Sequence, residues 1–258
     1  MTTPTATTAV PDAVIDALHG ARRVLVLSGA GMSAESGVPT FRDAQTGLWE
    51  AFDPTQLATL EAFQMDPPFV WAWYAWRMQL VGAVDPNAGH VALAALAGLR
   101  EVTISTQNVD DLHERAGSSV AAHLHGSLFE PRCSECDTPY DGEVELPQEP
   151  VERLDPPTCP QCEGDVRPGV VWFGETLPEQ AVEVTEAAVE ALEPGDVVLV
   201  IGTSGLVYPA AGYQAMARAE GATVIEINPH ESEISDMCHH VVRGPAAEVL
   251  AAIVGALR

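Results

Sequence analysis

Short, strongly apolar runs recur along the chain and are separated by segments with helical spacing of their hydrophobic residues. The runs are Arg23 to Ser28 (RVLVLS), Val102 to Thr106 (VTIST), Val197 to Gly202 (VVLVIG), Thr223 to Ile227 (TVIEI) and His240 to Arg243 (HVVR), and each reads as a strand. Strands that alternate with helices predict an α/β fold, a mostly parallel sheet with helices on both faces. Four runs lead into small or polar turns, SGAGMS, STQNVD, GTSG and INPH. Open parallel sheets bind ligands at the carboxyl ends of their strands, so these turns are expected to converge on one crevice. Two segments do not fit the sheet: an aromatic helical stretch near 54–83 and a Pro-, Cys- and acid-rich stretch over 131–168. They read as insertions that build a second lobe, and the threonine-rich start reads as a loose tail.

Composition narrows the function. The chain has 258 residues and 47% hydrophobic content, enough for a sizeable core. Its first twelve residues lack a basic and apolar leader, and no run reaches the roughly 18 apolar residues of a membrane span, so a soluble, cytoplasmic protein with no membrane partner is expected. Acidic residues outnumber basic ones by 37 to 12, and all twelve are arginine, for a net charge of −25. That balance argues against nucleic acid, whose phosphates need a basic face, and permits cationic partners such as lysine-bearing proteins.

The turns carry the candidate chemistry. In LSGAGMSAESGVPTFRD, Gly29 suits a tight turn, and the bare Gly31 suits close approach of backbone N–H groups to a pyrophosphate near a helix start. The same glycines also suit an ordinary strand-to-helix connection. Beyond them, Ser33, Ser36, Gly37, Pro39, Phe41 and Arg42 make a polar, kinked segment able to close over a ligand. STQNVDDLH places Gln107, Asn108 and Asp110 just past a strand end; one such residue would read as a helix cap, but three with a glutamine favour a polar site. His125 follows where the chain leaves the sheet, and a neutral imidazole there suits a general base near pH 7. Cys133 and Cys136 (CSEC) and Cys159 and Cys162 (CPQC) lie 22 residues apart as pairs. Four thiolates close a tetrahedral zinc shell with no position left for water, so the expected metal is structural; two redox pairs or free thiols are the alternatives. Cys238 has no matching partners and reads as a buried thiol.

Taken together and in order, GAGMSAESGVPTFR, TQNVD, HGSLF, CSEC with CPQC, RPGVVWFGE, GTSGLVYPAA and EINPH resemble the sirtuins, NAD-dependent protein-lysine deacylases, from about residue 22 to 250. The resemblance implies a Rossmann-type NAD-binding domain over 13–42, 86–130 and 169–258. It implies a small lobe made of a helical insertion (43–85) and a zinc ribbon (131–168), after a flexible tail over 1–12. It implies one structural zinc, and NAD as a consumed co-substrate. Gly29, Ala30, Gly31, Ser33, Gln107, Gly202, Thr203, Ser204 and Asn228 would surround the adenosine and pyrophosphate. Phe41 and Arg42 would face the nicotinamide riboside, and Asn108 and Asp110 would hold the carboxamide. His125 would act as base on a ribose hydroxyl, giving nicotinamide, free lysine and O-acyl-ADP-ribose. Val170, Val171, Trp172 and Phe173 would line the lysine stem. A mono-ADP-ribosyltransferase or a non-catalytic NAD sensor would share the nucleotide site; the sensor needs no base.

The stretch VWAWYAWRM adds a preference. Tyr74 and Arg77 stand at i and i+3 and share a helix face, and Arg77 has Trp73, Tyr74, Leu80 and Val81 at the positions where an acidic partner would sit. A Tyr-x-x-Arg pair here is similar to the signature of class III sirtuins, as is GTSGLVYPAA. That resemblance implies removal of succinyl, malonyl or glutaryl groups, with some deacetylation retained.

Overall fold

The computed structural model describes residues 10–39 and 53–258. Its strands in chain order are β1 (Arg23–Ser28), β2 (Glu101–Thr106), β3 (Val120–His123), β4 (Gly126–Cys133), β5 (Val166–Val170), β6 (Val197–Ile201), β7 (Thr223–Ile227) and β8 (His240–Val242). Six of them form one parallel sheet in the order β3-β2-β1-β6-β7-β8, and β4 pairs antiparallel with β5 in a second, two-stranded sheet. The helices are α1 (Asp12–Gly20), α2 (Pro54–Leu57), α3 (Leu60–Met65), α4 (Pro67–Gly82), α5 (Ala88–Leu96), α6 (Leu112–Arg115), α7 (Glu179–Glu190), α8 (Tyr213–Ala219) and α9 (Ala246–Ala256).

The aliphatic runs are continuous because both sheet faces are covered. Val24, Val26, Leu199, Ile201, Ile225 and Ile227 point to a core shared with Val14 and Leu18 of α1, Leu93 of α5 and Leu250 of α9. Leu25, Leu27, Val198, Val200 and Val224 point the opposite way, against Val189 of α7 and Ala217 of α8. This is the Rossmann-type α/β architecture expected, and its order reverses between β1 and β6, the place where open parallel sheets bind ligands beyond the carboxyl ends of the strands. The short helical segment expected after the first turn is a pair of 3-10 turns, Ala30–Met32 and Ala34–Ser36.

A third core holds the insertions together. Asp66 caps α4 by accepting from the Phe69 N–H (3.3 Å), and prolines fill its first turn. The helix then buries Val70, Trp71, Trp73, Tyr74 and Met78 against Leu128, Val166, Val170 and Trp172. Arg153 forks onto Asp66 (2.7 and 2.6 Å) and the Leu154 N–H reaches the Pro68 carbonyl (3.0 Å), tying the cysteine-bearing segment to the aromatic helix. The two-stranded sheet starts at Gly126 and ends at Val170, enclosing the cysteine segment and extending past both of its expected ends.

Candidate active site

Two glycine turns cross at the point where the sheet order reverses. The Gly29 N–H donates to the Ile201 carbonyl (2.9 Å) and the Gly31 N–H to the Gly202 carbonyl (2.8 Å). A Cβ on Gly31 would lie 2.7 Å from the Gly202 Cα, and one on Gly29 would lie 2.9 Å from the Gly202 oxygen. Glycine is required here because two backbones touch. The Gly31 N–H is therefore engaged within the protein, at the crossing of the two turns.

Hydrogen bonds join the neighbouring turns to this crossing. Gln107 Nε2 donates to Thr203 Oγ1 (3.3 Å), Asn228 Nδ2 donates to the Thr203 carbonyl (2.9 Å), and the Glu233 N–H reaches the Ser204 carbonyl (3.2 Å). The turns after β1, β2, β6 and β7 thus share one edge of the sheet.

Asn108 and Asp110 are buried beside Ser33. Asn108 Nδ2 donates to Ser33 Oγ (3.1 Å), while its Oδ1 is buried with no partner among the described residues. A buried carbonyl oxygen left unpaired costs about 1–3 kcal/mol, so this atom is a ready acceptor for a ligand N–H or O–H. Burial raises the Asp110 pKa above the usual carboxylate range, opposed by the Ser33 hydroxyl and by the Leu112 N–H at 3.2 Å.

His125 stands between this turn and the second lobe. Its Nδ1 is 3.0 Å from the Gln107 carbonyl. A carbonyl only accepts, so Nδ1 carries the proton and Nε2 keeps a lone pair. Burial lowers the pKa below the usual histidine value, against the Gln107 bond, which favours the neutral base. The His125 carbonyl accepts from the Val171 N–H (2.9 Å), and the Phe173 N–H reaches the Ala58 carbonyl (2.9 Å), so segment 170–173 runs from the imidazole to the helical insertion. Within it Val170 and Trp172 are buried and Phe173 is exposed.

Tyr74 and Arg77 share a face of α4, as their spacing predicts. Tyr74 Oη accepts from Trp172 Nε1 (2.9 Å), and desolvation raises its pKa, so the phenol stays neutral. The half-buried Arg77 places its guanidinium 5.2 Å from the centre of the Trp73 ring. Desolvation lowers its pKa, opposed by Tyr74 and Asp110, and it forms no ion pair among the described residues. Phe41 and Arg42 lie outside the described residues.

Cys133, Cys136, Cys159 and Cys162 bring their sulfurs within 4.8 Å of one another, with separations of 3.4 Å (Cys133 to Cys162 and Cys162 to Cys136) and 3.8 Å (Cys136 to Cys159). Zinc bound at about 2.3 Å to four sulfurs gives tetrahedral edges of about 3.8 Å, so the cluster fits a structural zinc. Cys238 is half-buried rather than buried; its thiol donates to the Ile234 carbonyl (3.3 Å) and desolvation pushes its pKa up to about 11.

Residues 29–209 match the model of the Sir2 family. The chain belongs to the Sir2 family. It is 52% identical over 228 residues, covering 88% of this chain and 94% of its relative, to a Mycolicibacterium paratuberculosis protein named as an NAD-dependent protein deacylase. Among solved structures it resembles a Sir2 homologue in complex with NAD, with 39% identity, TM-score 0.86, and coverage of 98% of this chain and 96% of the other. A mutant Sir2 homologue in complex with 2'-O-acetyl-ADP-ribose matches with 40% identity and TM-score 0.87 over 96% and 97%.

Several residues of this Sir2 site were not singled out in the sequence. His113 Nε2 lies 2.9 Å from Ser28 Oγ, which donates to Thr106 Oγ1 (2.8 Å), which in turn accepts from the Asn108 N–H (3.0 Å). Burial pushes the His113 pKa down to about 4, so a neutral imidazole backs the Asn108 turn. His123 adds a second support: its Nδ1 bonds the Asn108 carbonyl (3.1 Å) and its Nε2 faces Glu114 (2.7 Å). Desolvation opposes charge on His123, yet Glu114 and the Asn108 carbonyl outweigh it and raise its pKa. Arg167 and Glu175 form a bidentate pair (2.5 and 2.9 Å) beneath Trp172. The only sequence signal for these was their presence in DDLHER, HLHG and RPGVVWFGE.

Proposed function

We propose that this Sir2-family chain is an NAD-dependent protein-lysine deacylase with a preference for acyl groups that end in a carboxylate. The observation that carries the reaction is His125, whose Nδ1 is held protonated by the Gln107 carbonyl, which leaves a lone pair on Nε2, while the buried Asn108 Oδ1 of the next residue in that turn has no partner among the described residues. When bound, NAD supplies an electrophilic ribose carbon, a nicotinamide leaving group and hydroxyls that can receive the acyl group. His125 Nε2 takes the proton from such a hydroxyl, and its depressed pKa keeps that atom unprotonated near pH 7. Asn108 Oδ1 accepts from the nicotinamide end, and Asp110 lies in the same pocket. Gly29, Ala30, Gly31, Ser33, Gln107, Gly202, Thr203, Ser204 and Asn228 surround the rest of the nucleotide. Segment 170–173 guides the lysine stem between His125 and Ala58.

The acyl preference rests on Arg77 and Tyr74. A half-buried guanidinium with no carboxylate within 4 Å among the described residues, three positions from a neutral phenol, suits a carboxylate brought by the substrate. The net charge of −25 suits protein substrates rich in basic residues.

Incubation with NAD and peptides bearing succinyl-lysine or acetyl-lysine tests the proposal by mass spectrometry. Nicotinamide, free lysine and the O-acyl-ADP-ribose, formed faster from the succinyl peptide, are expected. ADP-ribosylated protein without deacylation would point to a transferase, and no turnover to a sensor. Faster turnover of the acetyl peptide would remove the acyl preference alone.

A further inference from the structure

Building on the acyl-pocket reading above, we infer that Trp172 is a positioning residue that makes Tyr74 a hydrogen-bond donor toward the substrate, and thereby lets the pocket select a carboxylate over a carboxamide of the same shape. An indole N–H can donate and has no lone pair to accept with. The 2.9 Å bond from Trp172 Nε1 to Tyr74 Oη therefore runs one way, and the phenol proton must point elsewhere. Both side chains are nearly sealed from solvent, Trp172 at 1% and Tyr74 at 3% exposure, so water is a poor competitor for that bond.

The indole itself is clamped. The Arg167 guanidinium lies 3.5 Å from the ring centre, and Arg167 also donates to the Val170 carbonyl (3.0 Å). Glu175, held by Arg167, accepts the Trp172 N–H of the main chain (2.8 Å). Ring plane and main chain are thus fixed by one ion pair, and Phe63 packs on the indole at 5.3 Å between centroids. The indole nitrogen has little freedom to turn away from Tyr74.

With one lone pair of Tyr74 occupied, the strong group it presents is its O–H. Arg77, one turn on, has donors only. A pocket end built from two donors suits a group that accepts at both oxygens, as a carboxylate does. A carboxamide presents an NH2 in place of one oxygen and meets a donor there. Without the Trp172 N–H, the phenol oxygen regains a lone pair and can accept from that NH2, so discrimination should fall.

The test compares kcat/KM for succinyl-lysine and succinamyl-lysine peptides, the second ending in a carboxamide, in the parent, Trp172→Phe, Tyr74→Phe and the double variant. Taking the ratio of the two substrates cancels any shared effect of repacking on NAD or lysine binding. Trp172→Phe should lower the carboxylate-to-carboxamide ratio about 3–10-fold, the scale of one neutral hydrogen bond. The double variant should lose no more than Tyr74→Phe alone, because both act through one oxygen. Benzothienylalanine at position 172 keeps the ring and its volume but replaces the N–H by sulfur, and should reproduce the loss should Trp172→Phe fold poorly. An unchanged ratio with that analogue, or losses from Trp172→Phe and Tyr74→Phe that add in full, would overturn the role of Trp172. A parent enzyme that shows no preference for succinyl over acetyl, and none that Arg77→Met removes, would instead overturn the acyl-pocket reading on which the inference rests.

Discussion

Arg77→Met separates charge recognition from packing. Methionine keeps a long unbranched stem against Trp73 while deleting the guanidinium that lies 5.2 Å from that ring's centre. Two unit charges about 4 Å apart at an effective dielectric near 20 attract by about 4 kcal/mol. Desolvation of the incoming carboxylate offsets part of this, and hydrogen bonds to charged groups contribute about 1.5–3 kcal/mol net. The half-buried setting of Arg77 places it toward the upper part of that range, so kcat/KM for a succinyl-lysine peptide should fall about 10²-fold. An acetyl group has no carboxylate to lose, so deacetylation should change far less. Because the contact is made at the remote end of the acyl chain, before and during the reaction alike, most of the loss should appear in KM. The assay is nicotinamide release at saturating NAD on matched succinyl and acetyl peptides. Equal losses on both substrates would make Arg77 a structural residue of the α4 core, with no part in acyl selection.

Three other outcomes are expected. His125→Ala should cost about 10²–10⁴ in deacylation rate while calorimetry still detects NAD binding; the parent's acid limb should lie below the ordinary histidine pKa of about 6.5, since burial depresses that of His125 and activity is lost only as pH falls through the lowered value. Metal analysis should find about one zinc per chain, and chelation should unfold the loop between β4 and β5, seen as new protease cleavage within residues 131–168; full protection after complete metal removal would contradict this. Gly31→Ala places a Cβ 2.7 Å from the Gly202 backbone, which cannot move aside like a flexible side chain, so NAD affinity and stability should both fall, the latter by about 1–3 kcal/mol in denaturant titration.

Local pattern was enough for five of the six strands of the main sheet. β1 and β7 end where their aliphatic runs end, and β2, β6 and β8 differ from the runs by one residue at one end. A parallel strand covered on both faces is apolar along most of its length, so its signature lies within a few consecutive residues. The four cysteines were equally legible, because zinc ligation imposes spacing within each pair and the structure needed only to bring the pairs together. Tyr74 and Arg77 share a face because helical periodicity is also local. In contrast, β3 is a four-residue edge strand, VAAH, too short to stand out, and β4 with β5 depend on a pairing across the cysteine loop.

What the site atoms can do depends on contacts that form when the chain folds. Gly31 meets Gly202 across more than half the chain, so backbone contact at the crossing of two turns by itself requires glycine there, a demand its motif did not reveal. The proton on His125 Nδ1 follows from the Gln107 carbonyl, and the donor role of Tyr74 follows from an indole 98 positions away. Apolar periodicity records which face of an element is buried, and that is a property of neighbours in sequence. Hydrogen-bond direction and desolvation depend on groups that become neighbours only when the chain folds, and these determine which atom is a base, which an acceptor and which a donor.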